Sequence, residues 1–260
     1  MVAPGRVLAI GATAEIVEYG PGRVLKWFRS GWPRQDAEAE AGRTRSARRA
    51  GLSVPATEEV IEVQGRLGIV FERVDGPSML QELLRFPWPV ARSARLLADL
   101  QVGLHRQRAP ELPPRKAVMA RRIREVALPA EAKGEVLQIL EGLPDGDRLL
   151  HGDFHPGNVL LSPRGPVIID WMDAMRGDPL ADLARTLLLI DQGGRRDAGW
   201  LFNRVRARFR RILIDQYRRG SEIDLDMLAA WRRPTAAARL VERVPAEEPA
   251  LRAIAEGRHP

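Results

Sequence analysis

The sequence predicts an α+β protein of two lobes, on three observations. Short apolar segments separated by glycine turns fill the first 75 or so residues. Good helix formers with leucines at helical spacing fill most of the remaining chain. Between the two regions Asp75-Gly76-Pro77-Ser78 breaks the pattern. The division expected is a β-rich N-terminal lobe over 1–75, with a hinge at about 72–76, and a helical C-terminal lobe over 76–260.

Each element has a local reason. Residues 6–10 and 14–19 read as strands with partial alternation, parted by Gly11-Ala12-Thr13. Gly20-Pro21-Gly22 is turn chemistry, and 23–28 is a third strand. From Arg34 to Ala50 the composition shifts to Ala, Glu and Arg, a helix that Gly51 stops. Two more strands, 58–63 and 67–72, are joined by the Gln64-Gly65 turn. Helices are then expected at 79–84 and at 89–106, where Leu96, Leu97, Leu100 and Leu104 recur at helical spacing. A proline-rich loop at 109–114 precedes helices at 115–126 and 131–140. A short β insert surrounds residues 151–161, and helices come next near 179–189, 198–218, 225–232 and 249–255.

Composition excludes several classes. A chain of 260 residues with 45% hydrophobic and 29% charged residues has the make-up of a soluble globular protein. No apolar run approaches the ~20 residues of a membrane span, and the first residues show no secretory signal. Cytoplasm is the expected compartment. The absence of cysteine removes disulfides, thiolate nucleophiles and zinc-thiolate sites. The formal charge of +7 is almost all arginine, the lysines being Lys26, Lys116 and Lys133. These arginines are interleaved with acidic residues over many helices and accompany no nucleic-acid motif, so no nucleic-acid partner is expected.

The most informative segment is His151-Gly152-Asp153-Phe154-His155-Pro156-Gly157-Asn158-Val159-Leu160-Leu161. Asp153 stands five positions before Asn158, and the apolar run Val167-Ile168-Ile169 ends in Asp170, twelve past Asn158. Phosphoryl transfer needs one carboxylate to orient and deprotonate a hydroxyl, then an amide oxygen and a second carboxylate to hold Mg²⁺. The D-x-x-x-x-N spacing with a later Asp is that of a kinase catalytic loop. Walker A and Rossmann patterns are missing. His151 and His155 are four apart, but Gly152 and Pro156 oppose a helix there, so both read as loop scaffold and not as a zinc pair.

On these residues the chain resembles the aminoglycoside phosphotransferase and choline kinase-like family, small-molecule kinases with a protein-kinase-like fold. The likeness runs from about Gly11 to Ala184. It implies an ATP- and Mg²⁺-dependent phosphotransferase acting on a hydroxyl of a small molecule, with ATP in a cleft between the lobes. By that resemblance Asp153 is the catalytic base, and Asn158 and Asp170 are the metal ligands. Lys26 contacts the ATP phosphates and pairs with a glutamate of the next helix, Glu40 by spacing or else Glu38. Val70–Gly76 is the hinge that binds adenine through backbone groups, Glu72 and Val74 among them, and Gly11 lies in the phosphate-covering loop. Asp182, in Asp178-Pro179-Leu180-Ala181-Asp182, braces the catalytic loop. The residues support parts of this directly. Lys26 is the only lysine of the first lobe, on an otherwise apolar strand, and a charge there needs a partner. Asp178-Pro179 is a helix start in its own right.

Only a few residues separate Asp170 from Asp178, which leaves no room for a long activation loop or a peptide platform. A small-molecule acceptor is therefore expected, with no membrane partner. A catalytically silent nucleotide-binding protein of the same fold is the alternative, opposed by the presence of Asp153, Asn158, Asp170 and Lys26. Whether the acceptor is an aminoglycoside depends on Asp215, Glu222, Asp224, Asp226 and Glu242 converging near Asp153, since a polycation needs close carboxylates. Trp231 and Arg239 suit a neutral or anionic metabolite instead.

Overall fold

The computed structural model describes residues 3–86, 89–193 and 199–258. Along the chain come β1 (Val7–Ile10), β2 (Ala14–Glu18), β3 (Arg23–Phe28), α1 (Arg34–Arg49), β4 (Thr57–Val63), β5 (Arg66–Glu72) and α2 (Met79–Arg85). Next are α3 (Val90–His105), α4 (Arg115–Glu125), α5 (Ala130–Gly142), β6 (Arg148–Leu150), β7 (Val159–Ser162), β8 (Gly165–Ile168) and β9 (Met175–Gly177). The remainder is helical: α6 (Pro179–Gln192), α7 (Gly199–Gly220), α8 (Leu225–Ala230), α9 (Arg232–Arg239) and α10 (Glu248–Ala255). The α+β class and the order of strands and helices agree with the sequence reading. The start expected for α7, residue 198, lies outside the described residues.

Contacts divide the chain into two compact units. One comprises the residues up to Gln81 with Gly157–Ala174; the other comprises Glu82–Pro156 and the chain from Met175 onward. Residues 157–174 thus group with the β-rich unit, where chain order alone assigned them to the helical one. Their hydrogen bonds give the reason. The β7–β8 hairpin takes Leu161 N–H to the Pro77 carbonyl at 2.9 Å and Ile168 N–H to the Ser53 carbonyl at 2.8 Å.

In the first unit the sheet runs β1-β2-β3-β5-β4, every neighbouring pair antiparallel. Alternation sorts β3 onto two faces. Leu25 packs with Val17, Val63 and Val70 on one side. Phe28 packs with Ala14, Ile69 and the α1 alanines Ala37 and Ala41 on the other. Side chains two apart share a face, so Lys26 points to the Phe28 side, the side α1 covers. That helix buries Ala37, Glu40, Ala41, Thr44 and Ala47, one stripe at helical spacing. Small residues on the stripe let the helix lie close, and Glu40 is its only carboxylate.

In the second unit α6 is buried continuously from Leu180 to Leu188. Asp178 caps it, the side chain accepting Leu180 N–H at 2.7 Å, with Pro179 in the first helical position as its sequence requires. α3 packs along α7, burying Leu97 and Leu104 on one helix and Phe209, Leu213 and Tyr217 on the other. The sequence reading of one helix over 225–232 needs correction. α8 ends at Ala230, Trp231 lies between two helices, and α9 begins at Arg232. Pro234 does not prevent this restart, because it falls in the first turn of α9, where its missing N–H has no intrahelical partner to lose. Among the described residues no helix is long and apolar enough to cross a membrane.

Within the β-rich unit Gly76 has φ +141°, and a Cβ there would collide with the Leu161 carbonyl of the β7–β8 hairpin. Gly76→Ala is therefore expected to lower stability by about 1–3 kcal/mol through backbone strain alone, with more from the collision. A urea unfolding curve with an unchanged midpoint would contradict this.

Candidate active site

The β-rich unit brings three of the sequence-selected residues into contact. Lys26 Nζ donates to Glu40 Oε1 at 2.6 Å and to Asp170 Oδ1 at 2.8 Å. Lys26 is 8% exposed and Glu40 1% exposed, so this is a buried cation shared by two carboxylates. Glu38, the other candidate, lies off the buried stripe, is exposed, and pairs with Arg34 one turn back. Burial disfavours the Lys26 ammonium, but Asp170 and then Glu40 outweigh it and hold its pKa above the ordinary lysine value. Burial pushes the Glu40 carboxyl up, opposed by Lys26. Neither side chain is tolerable in that place without the other.

Hairpin register explains the twelve-residue spacing from Asn158 to Asp170. Val159 pairs with Ile168, so Asn158 stands opposite Ile169, whose N–H donates to the Asn158 carbonyl at 3.0 Å. Asp170 is the next residue, and its φ of +66° lies in the left-handed region. A non-glycine residue in that region stores strain and marks a candidate functional position. Behind it Trp171 is fully buried with its indole N–H on the Ile168 carbonyl at 3.1 Å, and Arg43 bonds the Met172 carbonyl. Among the described residues no three His, Asp, Glu or Cys side chains gather as a ready-made metal cluster. Asn158 and Asp170 present one amide and one carboxylate, hard oxygen donors of the kind that leave a small divalent cation other positions for water or phosphate.

The remaining candidates of this unit are less tightly placed. Gly11 N–H donates to the Ala14 carbonyl at 2.8 Å, closing the β1–β2 turn, and a Cβ there would press on that carbonyl at 3.3 Å. Arg29 reaches the same turn, its Nε 2.7 Å from the Ala12 carbonyl. The Glu72 side chain holds Arg164 at 2.5 Å and the Ala56 N–H at 3.2 Å, and the first of these keeps its carboxyl below the usual range. Its backbone N–H is taken by the Ala56 carbonyl. Glu72 is thus a tie within the unit, and Val74 lies beyond the last residue of β5.

The helical unit holds Asp153. Its Oδ1 accepts from Arg185 Nη2 at 3.0 Å, and its Oδ2 faces His155 Nε2 at 3.5 Å. Burial alone would raise the pKa of this carboxyl; His155, Arg185 and His151 outweigh burial and hold it well below the usual carboxylate range. His155 therefore touches the candidate base, beyond the scaffold role read from the sequence. His151 is buried and does act as scaffold, its Nδ1 accepting Asp153 N–H at 3.3 Å.

Asp182 braces this loop. Its carboxylate accepts Gly152 N–H at 2.7 Å, His151 N–H at 3.3 Å and His105 Nε2–H at 3.1 Å. That use of Nε2 leaves His105 Nδ1 to accept the Tyr217 hydroxyl at 2.6 Å. Burial opposes the Asp182 charge, yet His105 above all keeps the carboxyl ionised well below its ordinary range. Sequence reasoning did not single out Arg185. The available signal was a charge three residues after Asp182 in the otherwise apolar run Leu183-Ala184-Arg185-Thr186-Leu187, a placement that demands partners.

A cavity of about 840 Å³ opens among α6, α7 and α8. Its charged lining is Asp191 and Asp215 against Arg206, Arg210, Arg218 and Arg232, over Leu187, Leu188 and Ile214. Two of the five acidic residues singled out for a polycation are engaged elsewhere. Asp224 caps α8, Glu242 lies between Arg185 and Arg239, and only Asp215 of the five lines this cavity. Trp231 is fully buried and Arg239 is clamped by Glu247, so neither is an open recognition group.

An antiparallel β unit with a lysine–glutamate pair on its third strand and first helix, and a helical unit bracing the Asp153 end of a D-x-x-x-x-N loop, define a protein-kinase-like phosphotransferase. More narrowly, the phosphotransferase enzyme family (APH) model matches residues 9–235, and the chain belongs to that family. Among solved structures it is similar to an aminoglycoside-3'-phosphotransferase of type VIII, at 22% identity and TM-score 0.63 over 92% of this chain and 93% of the other. It is also similar to aminoglycoside phosphotransferase APH(4)-Ia in ternary complex with AMP-PNP and hygromycin B, at 18% identity and TM-score 0.66 over 99% and 92%. A choline/ethanolamine kinase family protein from Mesorhizobium loti matches at 21% identity and TM-score 0.59 over 98% and 85%. No curated protein matches the chain in sequence.

The Asp182 charge has a consequence for stability. Its folded pKa lies below the unfolded value of ~4, so its contribution is fully present above that pH and is lost as pH falls through the folded value. Asp182→Ala is expected to cost at least ~3 kcal/mol at neutral pH, since the buried N–H donors of Gly152, His151 and His105 lose their acceptor at about 1–3 kcal/mol each. Denaturation across pH should show the gap between wild type and variant narrowing in acid; a gap constant with pH would contradict the assignment.

Proposed function

We propose that the protein is a small-molecule kinase that transfers the γ-phosphoryl group of ATP, with Mg²⁺, to a hydroxyl of its acceptor. The observation that carries this reading is the anionic Asp153, held in a braced loop five residues before Asn158, in a chain that also buries the Lys26–Glu40 pair. Asp153 orients the acceptor hydroxyl and takes its proton. The carboxylate is ionised and so able to accept that proton, and orientation contributes as well, which suits a loose transition state in which proton removal comes late. Asn158 and Asp170 would hold Mg²⁺, which when bound neutralises charge on the phosphates. Lys26, fixed by Glu40, exchanges its contact with Asp170 for phosphate oxygens. Backbone groups at Gly11 and beyond β5, with Val74 foremost and Glu72 at the strand end, are assigned to the phosphates and the adenine.

For the acceptor, the surroundings of Asp153 favour a neutral or anionic metabolite over a polycation. Of the carboxylates a polycation would need, Glu242 meets Asp153 through Arg185 and is already held by Arg185 and Arg239, so an ammonium group entering there would lose hydration with little to offset it. An ADP-release screen across aminoglycosides, amino alcohols, sugars and nucleosides tests this reading. Efficient turnover of an aminoglycoside at low concentration would sink it.

Two substitutions test the chemistry. Asp153→Asn should lower kcat by ~10²–10⁴, as for loss of a general base, with ATP affinity little changed. Asp170→Ala should weaken Mg²⁺-dependent nucleotide binding as well as turnover, whereas Asn158→Ala should cost turnover more than binding. Calorimetric titration of ATP with and without Mg²⁺ separates the cases, and normal MgATP binding by Asp170→Ala would overturn the metal assignment.

A further inference from the structure

Arg185 occupies an expensive position. It is 2% exposed, in the stretch of α6 that is buried on all sides. Removing a guanidinium from water costs several kcal/mol unless its donors are met. One nitrogen, Nη2, meets two carboxylates: Asp153 Oδ1 at 3.0 Å and Glu242 Oε1 at 2.7 Å. Glu242 is in turn held by Arg239 Nη1 at 2.6 Å on its other oxygen. Arg239 is gripped by both oxygens of Glu247, at 2.5 and 2.9 Å. The charges alternate along Asp153, Arg185, Glu242, Arg239 and Glu247, from the catalytic loop to the start of α10. Glu242 ends a 3-10 turn over Leu240–Glu242 that Arg243 closes in the left-handed region at φ +50°.

Asp153 is held from two sides. Oδ1 meets a buried guanidinium that is itself fixed from behind, and Oδ2 meets His155, a half-buried side chain, at 3.5 Å. We propose that Arg185, set by Glu242, is the positioning residue for Asp153: it fixes the carboxylate through Oδ1 and so sets the direction in which it meets the attacking hydroxyl. The proposal rests on the reading of Asp153 as the group that orients that hydroxyl. Arg185 touches no reacting atom in this scheme. Its effect passes entirely through Asp153, and that of Glu242 entirely through Arg185. A misplacement of about 1 Å at the orienting oxygen is enough to cost on the order of 100-fold in rate.

The test uses the full chain and MgATP hydrolysis without added acceptor, read as ADP release, with water in place of the hydroxyl. R185M is expected to lower kcat at least ~10-fold while KM for ATP stays within about twofold. R185K, which keeps the charge, should recover part of the loss, and E242Q should fall between wild type and R185M. The decisive comparison is D153A against D153A/R185M, which should turn over at the same rate because alanine leaves no oxygen for Arg185 to act through. If R185M lowers turnover by the same factor in the D153A background as in wild type, Arg185 acts independently and the proposal is wrong. If R185M does not fold by circular dichroism, E242Q and D153A/E242Q make the same comparison with the same two outcomes. Near-normal turnover by D153A alone would remove Asp153 from the reaction, and this proposal with it.

Discussion

A single carboxylate with no solvent exposure, Asp182, organises the helical unit around the loop that carries Asp153. The turn at His151-Gly152-Asp153 must point a side chain outward, so its own backbone N–H groups cannot all find partners in a ladder. Asp182 takes two of them, at Gly152 and His151, from inside α6. Gly152 serves this geometry with φ +81°, a conformation that other residues adopt only with strain. The carboxylate must stay charged to accept so many donors, and His105, backed by Tyr217, keeps it so. One buried charge thereby links α3, α6, α7 and the loop, and a half-satisfied version would be worse than an apolar core.

The β-rich unit solves a parallel problem on a sheet. Alternation along β3 sends Lys26 to the face that also carries Phe28, and α1 closes over that face with an alanine stripe. A lysine facing alanines would be ruinous without Glu40 on the same stripe and Asp170 beyond the hairpin. The hairpin β7–β8 is short, two strands of four residues, and its brevity sets the spacing of Asn158 and Asp170. Strain at Asp170 is confined to one residue, held from behind by the buried Trp171.

Arginine is used in two distinct ways. Most of the basic excess lies on exposed helix faces with acidic neighbours, as at Arg34 and Arg121, where ion pairs contribute little. Arg185 and Arg239 are different, because burial removes the screening that makes surface pairs weak. At Arg239 the planar fork explains the residue type, because Nε and Nη2 grip Glu247 while Nη1 holds Glu242, a geometry that a lysine's single point charge does not offer.

Much of this was legible in the chain itself, because it is written in local chemistry. Glycine turns and alternation located the five strands of the sheet. Asp178-Pro179 announced α6. The spacings from Asp153 to Asn158 and from Asn158 to Asp170 marked the kinase-like loop, since a turn and a short hairpin are local structures whose geometry is set by residue count. Glu40 could be preferred over Glu38 by spacing, but only the packing of α1 on the sheet showed which carboxylate faces Lys26. The restart of α9 at Arg232 escaped local reading because Pro234 has opposite meanings in the first turn and in the interior of a helix. The Arg185–Glu242–Arg239–Glu247 network, and the removal of Trp231 and Arg239 from any recognition role, were decided by the tertiary structure alone. Those residues lie up to 94 positions from the loop they affect, and at that range a charge finds its partner through three-dimensional burial, which no sequence spacing encodes.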